Sequence, residues 1–225
     1  MVGIRETKKA DNNRRILEAA TRFFLDVGYD NARIEDIADS ANIAVGTFYN
    51  YYKNKGDILL AMVSMQVEEV LAAGQQVVEH PPLSVELALS TLIDRYFSLS
   101  LVYFNKEMWR TAVATSIQRP ETPFSQRYTE LDKRISQQVS TLVRCLQLKG
   151  FVRPEIDVEA VGEMIFNNLN MMFTEFARDD SMSVEELKRR VIWQHTPLAT
   201  LISVPDQLPA DTDLQPRSLS LGDGT

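Results

Sequence analysis

Between Ile34 and Tyr52 the apolar residues fall into two short helical registers with only Ala41-Asn42-Ile43 between them, which leaves the segment few ways to fold. Ile34, Ile37, Ala38 and Ala41 recur at helical spacing over about 34–40, and Phe48 and Tyr52 lie four apart in a second run over about 45–52. Two helices joined through so short a turn cross steeply and need a small side chain where they touch, which Ala38 supplies. The turn also needs a residue that tolerates a left-handed backbone; Asn42 is placed to be that residue, and Ile43 plugs the core beneath it. With Phe48 and Tyr52 spent inward, the second helix turns Val45, Gly46, Thr47, Asn50 and Tyr51 outward. That face holds no acid, so it can approach a polyanion.

The rest of the chain reads as all-α. A first helix over about 13–27 puts Ile16, Leu17, Ala20, Phe23, Phe24 and Val27 on one face and stops at Gly28. A fourth runs over about 55–79 to the break at His80-Pro81-Pro82, and apolar helical runs follow at about 83–102, 105–118, 124–149, 155–178 and 183–202. No stretch alternates like a strand, and no internal repeat is evident. From Val204 the composition turns to Pro, Asp and Ser without an apolar face. The expected organisation is a flexible arm over 1–10, a helix-turn-helix domain over 11–71 with its motif at about 34–53, a helical domain over 72–203 and a disordered tail over 204–225.

A net charge of −7 argues against a uniformly basic nucleic-acid binder, so any affinity for phosphate must be local. Residues 1–55 carry nine Lys and Arg against eight acids, whereas residues 56–225 carry fifteen against twenty-three. In the first segment Arg5, Lys8, Lys9, Arg14, Arg15, Lys53 and Lys55 gather at its two ends, where they can meet one phosphate backbone. The N-terminus lacks an apolar signal core, no run is long and apolar enough for a membrane span, and the lone Cys145 can form no intramolecular disulfide. A cytoplasmic location without a membrane partner is the expectation.

The segment 14–63 resembles the TetR family of bacterial transcription regulators. The resemblance rests on the run RILEAA, on Gly28-Tyr29, on Ile37-Ala38, on Gly46-Thr47-Phe48-Tyr49 and on Lys55 before Ile58-Leu59. It implies that the third helix enters a major groove of duplex DNA, with Thr47 and Tyr49 on phosphates, Val45, Gly46, Asn50 and Tyr51 near base edges, and Lys55 on a flanking phosphate. Lys53 and Arg33 are further candidates for phosphate contact. Arg33 stands where the family usually caps the second helix with Ser or Thr, so Asn31 is the alternative cap. Ala44 replaces a capping Ser, Asn42 a turn Gly, and Gly56 a residue that is often acidic.

The family resemblance also implies a homodimer and a small-molecule effector. In 158–176, Val161, Ile165, Leu169 and Met172 share a face, as do Val191 and Leu198 in the last helix, so these six are candidate seam residues. A buried intrachain hairpin shows the same pattern. Pro197 should kink or end the last helix near Trp193. Candidates to line an effector pocket are Phe97, Tyr103, Phe104, Met108, Trp109, Asn168, Met171 and Phe173, with His195 a weaker one; most aromatic and Met positions are expected to be core. Asn167, Asn168 and Asn170 need partners from a second subunit, water or a ligand.

An enzyme is the rival class, and the sequence offers it little. There is no GxGxxG, P-loop, HExxH, CxxC pair or serine nucleophile elbow, and two histidines with one cysteine make a poor metal site. No cofactor or metal is expected. The reading is a ligand-responsive DNA-binding regulator, a repressor of a near-palindromic operator released by a small-molecule effector; the alternatives are an activator of the same fold, or a helical enzyme or adaptor without DNA binding.

Overall fold

The computed structural model describes residues 4–205, with side chains from Glu6 onward. Within them the chain forms α1 (Ile4–Asp26), α2 (Ile34–Ser40), α3 (Val45–Phe48), α4 (Lys55–Glu79), α5 (Val85–Leu99), α6 (Lys106–Gln118), α7 (Pro123–Leu148), α8 (Val158–Arg178) and α9 (Val184–Ile202). The described residues contain no strand, only a β-bridge between Val152 and Ser203. Most helices start where a short polar side chain can accept from the first turn: Asn54, Ser84, Asn105, Thr122, Asp157 and Ser183 each cap the helix that follows. The two helices of the turn motif are exceptions, since Arg33 and Ala44 make no side-chain cap. Asn31 does not cap either, because its Nδ2 donates to the Val27 carbonyl.

Two apolar clusters organise the packing. In the first, Ile16, Ala20 and Phe24 of α1 meet Ile37 and Ala38 of α2, Phe48 of α3, and Ile58, Leu59 and Met62 of α4. Burying a Phe or Leu side chain stabilises by about 1.5–3 kcal/mol, so the short helices are held by this shared core and not by their own propensity. The cluster continues through Phe104, Met108, Trp109 and Ala112 to Phe124 and Leu131 of α7. The second unites the far half of α4 with α5, α7, α8 and α9. Two close helix crossings pin it. A Cβ at Gly162 would fall 2.6 Å from the Ser140 backbone, and one at Gly74 would fall 2.7 Å from the Tyr96 ring.

Several element boundaries differ from the sequence expectation. α1 begins at Ile4, so helix covers most of the segment read as an arm; Glu, Lys and Ala in IRETKKA are good helix formers. α3 is only four residues long, and Asn50 and Tyr51 donate to the Thr47 and Phe48 carbonyls in tightened turns. Gly46 and the uncapped Ala44 end leave little local support for a longer helix. α9 runs unbroken through Pro197 to Ile202. Pro197 is exposed, so the Trp193 carbonyl deprived of its partner can face water. Val204 donates to Phe151 and is not free, while residues 206–225 of the proposed tail lie outside the described residues.

Candidate nucleic-acid interface and ligand cavity

The turn between α2 and α3 is built as its residues require. Asn42 has φ +53°, and its N–H donates to Asp39 while Ile43 donates to Ala38, whose side chain is fully buried. Arg15 of α1 clamps the same turn through a 3.0 Å bond to the Asn42 carbonyl. Beyond α3, the buried Tyr52 donates to Asn13 Oδ1 at 2.6 Å, tying the segment back to α1. Burial raises the Tyr52 pKa, although the Asn13 bond opposes it.

The candidate reading surface is divided by this anchoring. Val45, Gly46, Tyr49 and Asn50 are exposed, and nothing lies within 4 Å of where a Cβ at Gly46 would sit. Thr47 is half-buried. Tyr51, expected to point outward, is also half-buried and packs on the α1–α4 core, because the tightened backbone after Phe48 rotates it inward. Arg33 and Lys53 are exposed, with Arg33 3.5 Å from Glu35. Lys55 is engaged inside the fold: its Nζ donates to the Tyr29 and Asp30 carbonyls at 2.7 and 2.8 Å and lies over the Tyr29 ring. It braces the corner after α1 and presents no free ammonium. The exposed strip at α3 therefore contains small, aromatic and amide groups, flanked by Arg33 and Lys53 and without an acid of its own.

A cavity of about 100 Å³ lies among α4, α5, α6, α7 and α8, room for several water molecules. Val63, Val67 and Val70 with Leu131, Ile135 and Leu169 form its aliphatic walls. Phe97, Trp109 and Phe173, anticipated from the sequence, line it together with Tyr96, Tyr128 and Phe166. Phe97 stacks on Phe173 at 6.2 Å between centroids, and Trp109 meets Phe173 edge-on at 5.0 Å. Trp109 Nε1 donates to the Ser100 carbonyl, and Tyr96 donates to Gln138. Three polar residues at this wall, Gln66, Ser100 and Asp132, are not among the candidates named from the sequence, and Asn170 is named there only as an amide in need of a partner. Gln66 is 1% exposed and neither amide atom has a partner among the described residues. Desolvation pushes the Asp132 carboxyl up to about 7.

Residues 16–62 match the family model described as bacterial regulatory proteins, tetR family. The fatty acid metabolism regulator protein of Bacillus subtilis is 23% identical over 180 residues, covering 77% of this chain and 87% of that one. The segment 16–62 belongs to the TetR family of transcriptional regulators. Among solved structures, a TetR-family regulator from Mesorhizobium loti superposes with TM-score 0.70 at 20% identity, covering 87% of this chain and 98% of the other. FadR of Bacillus subtilis, solved in complex with stearoyl-CoA, superposes with TM-score 0.61 at 21% identity, covering 80% and 95%. Those two share the fold. Among the described residues, no helix is long and apolar enough to cross a membrane.

The remaining candidates fall into two corrected groups. Tyr103, Phe104 and Met108 pack in the first apolar cluster and do not line the cavity, Phe104 lying behind Trp109 with its ring stacked on the indole. Met171 is exposed, and Asn168 donates to Gln194 across α8 and α9 at 2.7 Å. His195 is buried with its Nδ1 against the Val191 carbonyl, and burial lowers its pKa. Of the expected seam residues, Ile165, Leu169, Met172 and Val191 are buried inside the single chain and cannot face a second copy, while Val161 and Leu198 pack half-buried at the margin. On the neighbouring face of each helix, Met164 and Met171 of α8 and Trp193, Pro197 and Leu201 of α9 are exposed, Trp193 at 74%.

Proposed function

We propose that this regulator is a homodimeric repressor, acting in the cytoplasm, whose paired α3 segments read a near-palindromic operator and whose cavity takes an effector that releases it. Val45, Gly46, Thr47, Tyr49 and Asn50 are the reading surface, Arg33 and Lys53 contact phosphate, and Tyr51 and Lys55 hold the surface in place from behind. Two such heads must reach successive major grooves about 34–36 Å apart, so a dimer is required. The exposed apolar stripe of Met164, Met171, Trp193 and Leu201 on α8 and α9 is its seam.

The observation that carries the switching part is the double role of α6. Trp109 lines the cavity, while Glu107 of the same helix lies against the corner after α1, where a Cβ at Gly28 would sit 3.0 Å from its Oε1. A ligand that shifts Trp109 moves α6, and α6 abuts the reading head. An effector lowering operator affinity by some factor must lose its own affinity by that factor on the operator complex, typically about 5- to 150-fold. An acyl-CoA effector, carried over from the Bacillus subtilis relative, is a second reading, favoured by the aliphatic cavity walls.

Genomic fragments retained by the protein in a mobility-shift selection supply the operator. Asn50→Ala should then lower specific affinity about 5- to 100-fold and relax sequence preference, whereas Lys53→Ala should weaken all sequences alike. Met164→Asp with Trp193→Asp should sediment as a folded monomer that no longer shifts operator. Unchanged selectivity in the first variant, or an intact dimer in the last, would refute the corresponding assignment.

A further inference from the structure

The cavity carries formal charge of one sign only. Asp132 is the one carboxyl among its lining residues, and no Lys, Arg or His joins it there. Among the described residues Asp132 has no ion pair and no side-chain hydrogen bond, and desolvation dominates its surroundings. From α4, Gln66 lines the same space with both amide atoms unpartnered. Neither group serves the stability of an empty core: each amide atom of Gln66 is buried without a partner, and the half-buried Asp132 carboxyl is desolvated with no bond in return. They are accounted for if an occupant brings their partners.

The chemistry of the wall narrows that occupant. An ionised carboxylate only accepts, so its best partner is a charged donor. Tyr96, Phe97, Trp109, Tyr128, Phe166 and Phe173 surround the space with rings whose faces attract a cation and repel an anion. An anionic head placed here would meet Asp132 with no cation in the wall to neutralise either. The carboxyl's position near neutrality means that an arriving cation can bind it ionised without a large rearrangement of the protein.

We propose that the cavity is selective for a small amphiphilic cation, an ammonium on an apolar or aromatic body, with its charge beside Asp132 and Gln66 supplying a further polar contact. This rests on the reading of the cavity as the effector site, and it favours a different ligand class from the acyl-CoA bound by the Bacillus subtilis FadR.

Calorimetric titration of the full-length protein at about pH 8 tests it with three probes of one body: 3-phenylpropylammonium, 3-phenylpropanol and 3-phenylpropanoate, with stearoyl-CoA alongside. The ammonium should bind about tenfold more tightly than the alcohol, with the carboxylate weakest. Asp132→Asn, its fold checked by circular dichroism, should keep the alcohol's affinity within about twofold and lose the ammonium preference. Alcohol or carboxylate binding at least as tightly as the ammonium overturns the proposal from the wild-type titrations alone, whatever the variant does. So does an ammonium preference that survives in Asp132→Asn, or stearoyl-CoA that binds tightly and is not displaced by the ammonium. Failure of all four probes to bind would overturn the effector-site reading as well.

Discussion

The reading head and the cavity body treat buried polarity in opposite ways. In the head, polar groups near the core hold one another or the backbone: Tyr52 donates to Asn13, Arg15 closes on the Asn42 carbonyl, and Lys55 holds the carbonyls of Tyr29 and Asp30. In the body Trp109 and Tyr96 are satisfied in the same way, but at the cavity wall both amide atoms of Gln66 lack a partner and Asp132 has neither an ion pair nor a side-chain hydrogen bond among the described residues. A surface that must match the fixed spacing of base edges benefits from a rigid mount. A site that must change on binding benefits from stability withheld until the ligand arrives, since only differential interaction can shift an equilibrium. The comparison predicts that perturbing the head costs stability, whereas removing the cavity's polar groups adds it.

The largest effect should come from emptying the head. Phe48 is fully buried at the centre of α1, α2 and α4 packing, and Phe48→Ala should destabilise by about 4 kcal/mol and abolish operator binding, read by thermal melting and mobility shift. Next is overpacking in the body. Gly162→Ala places a Cβ 2.6 Å from the Ser140 backbone, and the α7–α8 crossing should lose about 3 kcal/mol in a denaturant titration. A Gly162→Ala protein as stable as wild type would show that the body yields even at its tightest crossing.

These two residues also mark what a linear reading can reach. Phe48, Ala38 and Asn42 are legible because their roles are set within a few residues: a turn of fixed length demands a small residue, a left-handed one and a plug, and Asn42 adopts φ +53°. The reach of α3 was not legible, since periodicity at Phe48 and Tyr52 fits both a full helix and the four-residue helix with tightened turns that forms. Lys55 looked like a free cation because its acceptors lie 25 and 26 residues away in the chain. On α8, Ile165, Leu169 and Met172 are apolar enough for either a seam or a core, and only the close approach of α7 at Gly162 decides for core. Gln66 and Asp132 were visible in principle. Each occupies a core-facing position in an otherwise apolar stripe, between Met62 and Val70 in α4 and between Tyr128 and Ile135 in α7.

The contrast in sign is sharpest in a matched pair of conservative changes. Gln66→Leu removes two unpartnered buried atoms and should stabilise the ligand-free protein by about 1.5 kcal/mol. Tyr52→Phe removes one satisfied bond and should destabilise by about 1 kcal/mol, leaving Asn13 exposed enough to rehydrate. Chemical denaturation of both variants in one buffer measures the difference. If Gln66→Leu also destabilises, the amide is held by a partner in the body, and the distinction between the two regions fails at its most specific point.

The smallest expected effect concerns the pH response of Asp132. Its folded pKa, raised by desolvation to about 7, lies above the unfolded value of about 3.9, so between these the folded state holds a proton that the unfolded chain has released. Stability from this group is therefore complete below about pH 4 and is lost as pH rises toward 7, after which the difference stays constant. The groups facing it share this direction: Tyr128 on α7 and Tyr96 on α5 have pKa values raised by burial and stay neutral throughout, and no cation lines the wall to hold the carboxylate down. Because Asp132 is only partly buried, solvent screening reduces the effect to about 1 kcal/mol. Urea titrations of wild type and Asp132→Asn at pH 5 and pH 8 should show the variant losing about 1 kcal/mol less stability than wild type across that interval. Identical losses would mean that Asp132 is already charged and solvated at pH 5, and the body would then have no withheld charge for a ligand to complete.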